Sequence, residues 1–402
     1  MVTLVARSPR YALTRSLRGL PSSLPVYQVS GESGALAHIG DISALAGNGY
    51  FFQSPEKNGY QEMFDGLPWF IQDMRPQGFI GRAFVRSHGE ALSLPLDLSL
   101  WSDDDVLYAM ARLGSDTSGN LIVGYEAAKQ YEAAQNKTLL QIQHNSLKQY
   151  YDGLAVLAMG DSAPASSAAG EQPKFVARYQ DGQKIRNVIV KFSPPYADAI
   201  GERWKDLLIA EHLALRVLGE QGGFDVPETR IIMSADRCYL ESARFDRTEQ
   251  GRLPVVSLSS IDHAFIGSGR SWRESATWLA GQNMLPNGTA SRIRLLEMFG
   301  YLVGNTDMHQ GNLSFYWEIR NKVPRFTLAP IYDMLPMLYA PIKNEIIERA
   351  LQPGRVASVF AGQTDSGLLQ EANALAQIFW RQVVGESDIS EGFREIAAKN
   401  IQ

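Results

Sequence analysis

The stretch GNTDMHQGNLSF, residues 304–315, follows an apolar, helix-like segment and precedes a segment that reads as a strand. It places Asp307 and Asn312 five residues apart on a polar loop that contains glycine. By itself a D-x-x-x-x-N spacing occurs by chance in most chains of this length. The meaning of the loop therefore depends on the elements that surround it.

A hairpin and a second aspartate follow the loop. NLSFYWEI and RFTLAPIYD alternate as strands do, with turn residues at 321–324 between them. The second strand segment ends at Asp333.

A lysine-bearing hairpin lies upstream. KFVARYQ and KIRNVIVKF read as two strands joined by the tight turn Asp181-Gly182, and Lys191 closes VIVK in the second strand. The segment DLLIAEHLALRVLGE predicts a helix that ends at Gly222-Gly223. Glu211 on this helix is the candidate partner of Lys191, with Glu202 and Glu220 as alternatives. A second strand pair, TRIIMSA and RCYLESARF, comes next, and the pattern is mostly helical from about residue 257 onward.

Phosphoryl transfer from ATP needs a carboxylate for the attacking hydroxyl, metal ligands, a lysine on the phosphates and a covering loop. Asp307 and Asn312 have the spacing of a kinase catalytic loop, and Asp333 is a candidate for a second oxygen ligand of Mg²⁺. Lys191 lies at the end of its strand, as does the phosphate-binding lysine of the VAIK motif in protein kinases. A covering loop is available in GDSAPASSAAGEQP, residues 160–173, although that composition alone predicts a flexible linker. These parts occur along the chain in the order found in kinases, and this order is stronger evidence for a kinase than any single part.

Composition excludes several other classes of protein. The 402 residues are 45% hydrophobic and 20% charged, as in a globular chain of two or three subdomains. A formal net charge of −5 does not support direct nucleic-acid binding. Cys238 is the only cysteine, so no internal disulfide forms, and no signal peptide, long apolar run or zinc motif is visible. We expect a cytoplasmic protein without a membrane span.

The motifs GNTDMHQGNLSF and APIYDMLP, with SSAAGEQPK and ARFDR upstream, resemble the HipA family of bacterial serine/threonine-protein kinase toxins. LPWFIQDMRPQGFIGRAF and DTSGNLIVG, nearer the N-terminus, add weaker similarity. The resemblance implies an α+β fold with a two-lobed, protein-kinase-like core, in which the N-lobe is β-rich and the C-lobe helical. A small α+β subdomain at 1–150 would precede a catalytic domain at 151–402.

The resemblance also assigns roles to residues. Asp307 would be the catalytic aspartate, Asn312 and Asp333 the Mg²⁺ ligands, and Lys191 the phosphate lysine. Ser167, in the S-x-x-G of SAAG, would be the autophosphorylated serine, with Ser166 adjoining it. The remaining nucleotide contacts would come from the covering loop, the linker beside adenine and the surroundings of the two aspartates: Ala169, Gly170, Glu171, Gln172, Lys174, Ala243, Arg244, Phe245, His309 and Tyr332.

The sequence departs from that of ordinary protein kinases, since Asn305 and Thr306 stand where the histidine and arginine of HRD would precede the aspartate. The implied activity is ATP- and Mg²⁺-dependent phosphorylation of a cellular protein, with a HipB-like, DNA-binding antitoxin as partner. Two alternatives stay open: a small-molecule phosphotransferase of the aminoglycoside-kinase kind, and a degenerate kinase fold that acts as a regulatory binding protein.

Overall fold

The computed structural model describes residues 2–5, 8–57, 59–160, 172–343, 345–352, 360 and 366–401. Its strands are β1 (Val2–Val5), β2 (Ser8–Tyr11), β3 (Ser23–Val29), β4 (Leu36–Ala44), β5 (Tyr50–Gln53), β6 (Gln61–Phe64), β7 (Leu121–Val123), β8 (Lys174–Asp181), β9 (Lys184–Phe192), β10 (Thr229–Met233), β11 (Cys238–Ala243), β12 (Val255–Ser257), β13 (Ser314–Arg320) and β14 (Val323–Leu328). Its α-helices are α1 (Trp69–Gln72), α2 (Gly78–Leu92), α3 (Asp103–Leu113), α4 (Tyr125–Gln135), α5 (His144–Met159), α6 (Ala199–Glu220), α7 (Leu258–Ile261), α8 (Trp272–Gly281), α9 (Thr289–Leu302), α10 (Ser366–Gly385) and α11 (Glu391–Lys399). Within this described part, no helix combines the length and apolarity that a membrane span requires.

The chain forms two compact units, and each is assembled from separate segments. Unit 1 comprises Met1–Thr138, Asp246–Gly267 and Phe315–Phe326, and unit 2 comprises Leu139–Phe245, Ser268–Ser314 and Thr327–Gln402. The expected domains, 1–150 and 151–402, are each continuous in sequence. The units differ from them because two later segments pack into unit 1 and because α5 packs in unit 2.

Unit 1 contains a five-stranded antiparallel sheet in the order β6-β5-β4-β3-β7. The β3–β4 register shifts between Val26 and Tyr27, opposite Gly40. Gly40 has a φ of 158°, and a Cβ there would lie 2.5 Å from the Gln53 carbonyl oxygen, so only glycine fits this irregularity. Ser102 and Asp105 form a capping box that fixes the start of α3.

The later segments complete unit 1 through aromatic packing. The ring centroid of Trp69 lies 5.0 Å from that of Trp317, 5.6 Å from that of Phe265 and 5.7 Å from that of Phe326. Asp73 adds a polar contact to the same assembly, since its carboxylate accepts from the backbone N–H and the hydroxyl of Ser257 at 2.6 and 2.7 Å. Strands β12, β13 and β14 form a three-stranded sheet here.

Unit 2 begins with the predicted lysine-bearing hairpin. Strands β8 and β9 pair in antiparallel fashion around Gly182, which has a φ of 61° as a tight hairpin turn requires. With β10 and β11 they form a four-stranded sheet in the order β10-β11-β9-β8. One face packs a buried apolar cluster against Leu147, Tyr151 and Ala155 of α5.

The rest of unit 2 is helical. Helices α8, α9, α10 and α11 bury large apolar side chains such as Phe299, Phe379 and Trp380. The Trp380 indole N–H donates to the Leu302 carbonyl oxygen at 3.2 Å and holds the end of α9. The second predicted hairpin is also present, in unit 1: β13 and β14 join through Asn321 and Lys322, both with positive φ.

Candidate active site

The loop that carries Asp307 begins where α9 ends in a Schellman motif. The Asn305 N–H donates to the Gly300 carbonyl oxygen at 2.8 Å, and the Gly304 N–H donates to the Tyr301 carbonyl oxygen at 3.1 Å. Gly304 has a φ of 78°, which a side chain would strain. The glycine therefore ends the helix and sets the direction of the loop.

Within the loop, Asp307 and Asn312 are joined directly. The Asn312 side-chain amide donates from Nδ2 to the Asp307 backbone oxygen at 2.8 Å, which leaves Oδ1 of Asn312 as its atom for a cation. His309 caps the short turn Gln310–Asn312 by accepting the Gly311 N–H on Nδ1 at 3.0 Å. The Trp272 indole N–H donates to the His309 carbonyl oxygen at 3.0 Å. Asp307 itself is exposed.

Asn305 connects this loop to Asp333. Its Oδ1 accepts the Asp307 N–H at 3.0 Å, and its Nδ2 donates to the Asp333 carbonyl oxygen at 3.1 Å. Asn305 is 2% exposed. Asp333 has a φ of 53°, in the left-handed region that aspartate tolerates better than most residues. One buried amide thus bonds to the backbone of both Asp307 and Asp333.

Lys191 lies between two carboxylates. Its Nζ is 2.6 and 2.7 Å from the two carboxylate oxygens of Glu211 and 2.5 Å from Oδ1 of Asp333. Of the three glutamates considered on α6, Glu211 is the one in contact with the lysine. The ion pair forms because the β9 register places Lys191 on the opposite face of the sheet from the α5 cluster.

The three charges shift one another's pKa values. Burial alone would lower the pKa of Lys191, but Asp333 and Glu211 raise it above its ordinary value. Burial alone would raise the pKa of Asp333, but the charges of Lys191 and Lys174 lower it to about 2. For Glu211 burial prevails over Lys191, and its pKa is raised. At neutral pH the lysine is therefore protonated and Asp333 is ionised.

Lys174 is the Cα partner of Lys191 across the β8–β9 pair, so the two side chains share a face. Gln172, two residues earlier, has a buried side-chain nitrogen without a hydrogen-bond partner among the residues that the structure describes. The rest of the expected covering loop, Ala169, Gly170 and Glu171, lies outside the described residues, as do Ser166 and Ser167.

The expected adenine linker follows β11. The N–H groups of Ala243 and Arg244 donate to the carbonyl oxygens of Glu228 and Asn187, at 2.9 and 2.8 Å. A base beside the linker would thus not use these two donors. The ring of Phe245 lies 5.6 Å from that of Tyr332, between centroids.

Tyr332 joins the linker to the catalytic loop. Its hydroxyl donates to the Gly311 carbonyl oxygen at 2.7 Å and lies 2.7 Å from the Ser314 hydroxyl oxygen. The ring therefore supports the loop and stands directly before Asp333 in the chain. The structure assembles the described candidates in unit 2, from Lys191 on the sheet to Asp307, Asn312 and Asp333 on the helical side.

The donor set is compatible with Mg²⁺. No group of three or more His, Cys, Asp or Glu side chains able to hold a metal occurs among the described residues. A Mg²⁺ ion that is bound together with phosphates needs only one or two carboxylates besides phosphate oxygens and water. The ionised Asp333 and the free Oδ1 of Asn312 meet that requirement.

Comparison with known proteins identifies the family of this chain. Residues 166–397 match the model of the HipA-like C-terminal domain, and residues 20–132 match that of the middle domain of YjjJ-like toxins. The chain belongs to the HipA family. It is 36% identical to Toxin YjjJ of Escherichia coli K12 over 393 residues, which cover 98% of this chain and 86% of that protein.

A solved structure shows the same fold. HipA of Shewanella oneidensis MR-1, determined in a complex with HipB and operator DNA, matches with a TM-score of 0.57. The match has 17% sequence identity and covers 94% of each chain. The family and the kinase-like α+β fold that the sequence motifs predict are confirmed.

Asn305 is the residue of the site that the sequence motifs did not reveal. A signal was present, because an asparagine two residues before an aspartate on a loop can accept that aspartate's N–H in a local turn. Its second bond, to the Asp333 carbonyl, spans 28 residues and needs the tertiary structure.

Proposed function

We propose that this HipA-family protein is an ATP- and Mg²⁺-dependent serine/threonine-protein kinase that acts as a toxin by phosphorylating a cellular protein. The observation that carries the proposal is the contact of Lys191 with both Glu211 and Asp333. A lysine held by a helix glutamate and a late, ionised aspartate are the two elements that an active kinase needs in place.

In this mechanism Asp307 accepts the proton of the acceptor hydroxyl. The hydroxyl oxygen forms a bond to the γ-phosphorus of ATP while the bond from that phosphorus to the bridging oxygen breaks, and ADP leaves with the electron pair. Lys191 binds phosphate oxygens, and Glu211 orients the lysine. Asn312 and Asp333 would hold Mg²⁺, which would supply positive charge beside the phosphates.

Phosphorylation of Ser167 within the covering loop belongs to the same proposal. A phosphoserine carries a charge of about −1.5 to −2 at neutral pH, which would repel the phosphates of ATP. Autophosphorylation would then switch the kinase off. An antitoxin partner resembling the HipB of the Shewanella complex, and a cytoplasmic site of action, complete the proposal.

The retained charge network supports catalysis over the degenerate alternative. A protein that used the fold only for binding would not need Lys191, Glu211 and Asp333 in mutual contact, because a buried ion pair adds little net stability by itself.

The test is transfer of label from γ-labelled ATP. Purified protein is incubated with Mg²⁺, alone and with cell lysate, and labelled protein bands are detected. Asp307→Asn removes the proton acceptor and is expected to lower transfer by about 10²–10⁴-fold. Asp225→Asn, an exposed aspartate of unit 2, is the matched control and should transfer as the wild type does.

Two results would contradict the proposal: wild-type rates in Asp307→Asn, or absence of any labelled protein with the wild type. A panel of small aminoglycosides in place of lysate addresses the small-molecule alternative, which label on an aminoglycoside would favour.

A further inference from the structure

A cavity of about 870 Å³ lies beside Asp307 in unit 2. One wall is the catalytic loop, residues 304–309, and another is the segment 349–352. Asp307 is the residue that meets the acceptor hydroxyl in the proposed mechanism. The cavity is therefore where the part of the substrate around that hydroxyl would lie.

Arg349 lines this cavity with unused binding capacity. A guanidinium has five N–H donors, and the hydrogen bond that the structure gives Arg349 is a long one, 3.4 Å from Nη2 to the Ala340 carbonyl oxygen. Among the described residues no carboxylate lies within ion-pair distance of it, its sequence neighbour Glu348 included. Arg230 of unit 2, by contrast, bonds to Glu241 at 2.6 Å.

Arg349 is the only lysine or arginine in the described lining, and Asp307 is the only acidic residue. A nucleic-acid substrate would require several cations along its phosphates. A polycationic aminoglycoside would require several acids. One arginine fits one carboxylate, in the bidentate geometry that a guanidinium favours.

The remaining walls suit an apolar side chain. Tyr301, Met308, Leu338 and Leu351 contribute to the lining. The chain that leads to Arg349 exposes Ile342, Ile346 and Ile347, which are 37–47% accessible. An extended peptide with one acidic and one apolar residue near its serine or threonine would match this surface.

We propose that this cavity is the acceptor subsite and that Arg349 selects protein segments with an acidic residue close to the phosphorylated serine or threonine. The inference rests on the proposed kinase function and adds the substrate class. Arg349 binds the substrate carboxylate, and the apolar walls take a neighbouring side chain.

The test uses the full chain, Mg²⁺-ATP and synthetic serine peptides that carry one apolar residue and differ at one other position. Each position that flanks the serine is occupied in turn by Glu, Gln or Lys, and kcat/KM is measured. At the best position we expect the wild type to prefer Glu over Lys by at least about tenfold, as a charge-assisted hydrogen bond would give.

Two variants and a control distinguish substrate selection by Arg349 from misfolding of the protein. Arg349→Ala should lose the preference for Glu over Gln and over Lys. Arg349→Glu should reverse the preference toward Lys, a gain that misfolding cannot produce. Arg381→Ala, an exposed arginine of α10 outside the cavity, should behave as the wild type does. ATP turnover without peptide should be equal in the wild type and Arg381→Ala.

The same preference for Glu in the wild type and Arg349→Ala would overturn the inference. Autophosphorylation or ATP turnover without label on any peptide would overturn it as well, and both outcomes leave the proposed kinase intact. Absence of ATP turnover and of all labelling in the wild type would instead refute the proposed function, and this inference with it.

Discussion

Replacing Asn305 by alanine tests whether one buried amide positions both Asp307 and Asp333. The change removes the bond from the Asp307 N–H, 3.0 Å, and the bond to the Asp333 carbonyl oxygen, 3.1 Å. A neutral hydrogen bond contributes about 0.5–1.5 kcal/mol net, so the free energy of unfolding should fall by about 1–3 kcal/mol.

The effect on phosphoryl transfer should be larger than this loss of stability suggests. A displacement of about 1 Å at a reacting group costs about 10²-fold in rate, and Asp333 holds a left-handed φ that its neighbours must maintain. We expect kcat to fall by about 10²-fold. Transfer from γ-labelled ATP measures kcat, and denaturant unfolding measures stability.

Asn400→Ala is the matched control. Asn400 is also buried and donates from Nδ2 to the Tyr339 hydroxyl oxygen at 2.9 Å, in the same unit but in a different contact. Its loss should cost about 1 kcal/mol of stability without lowering kcat. The positioning role would be refuted by wild-type kcat in Asn305→Ala, or by an equal fall in kcat in Asn400→Ala.

Three other predictions concern the metal, the covering loop and a buried acid. Asp333→Ala should weaken Mg²⁺-ATP binding in calorimetric titration by roughly tenfold or more, well beyond Asp307→Asn, and equal affinities would contradict this division of roles. Mass spectrometry of protein made in cells should find phosphate on Ser167 or Ser166 in the wild type and none in Asp307→Asn; an unmodified loop in active protein would leave it a plain linker. Burial raises the pKa of Asp206 despite its hydrogen bonds from Ser390 and the nearby charge of Lys205, with Glu202 adding to the rise. Protonation of Asp206 therefore stabilises the folded protein, fully at a pH below the unfolded pKa of about 3.9, and this stabilisation is lost as the pH rises through the folded pKa. The free energy of unfolding of the wild type should thus increase relative to that of Asp206→Asn as the pH falls from 7 toward 4. A difference between the two proteins that is constant with pH would refute this.

Local signals in the sequence were enough for most of the fold around the site. The turn at Asp181-Gly182 and the alternation on either side of it predicted β8 and β9, and the strand-end position of Lys191 followed. The spacing of Asp307 and Asn312 is short-range, and the structure joins the two by one hydrogen bond. The kinase-like fold could be predicted because the motifs within these elements resemble those of the HipA family.

The features that could not be predicted from the sequence depend on contacts between residues that are far apart in the chain. Glu211, Glu202 and Glu220 lie on one helix, and only the packing of α6 against the sheet decides which carboxylate meets Lys191. Arg349 has no recognisable pattern around it, and its position in the cavity beside Asp307 is set by the tertiary structure. The segmented makeup of unit 1 is likewise invisible to local periodicity.

That segmentation has a consequence for the order of events at the ribosome. Unit 1 packs Trp69 against Trp317 and Phe326, so its aromatic core lacks partners until residue 326 has emerged. At a synthesis rate of about 5–20 residues per second, roughly ten to forty seconds pass between the synthesis of residue 138 and that of residue 326, the last residue of unit 1. Residues 139–245, including the sheet that carries Lys191, are synthesised during that interval. The lysine-bearing sheet of unit 2 is thus synthesised before the aromatic core of unit 1 has all its partners.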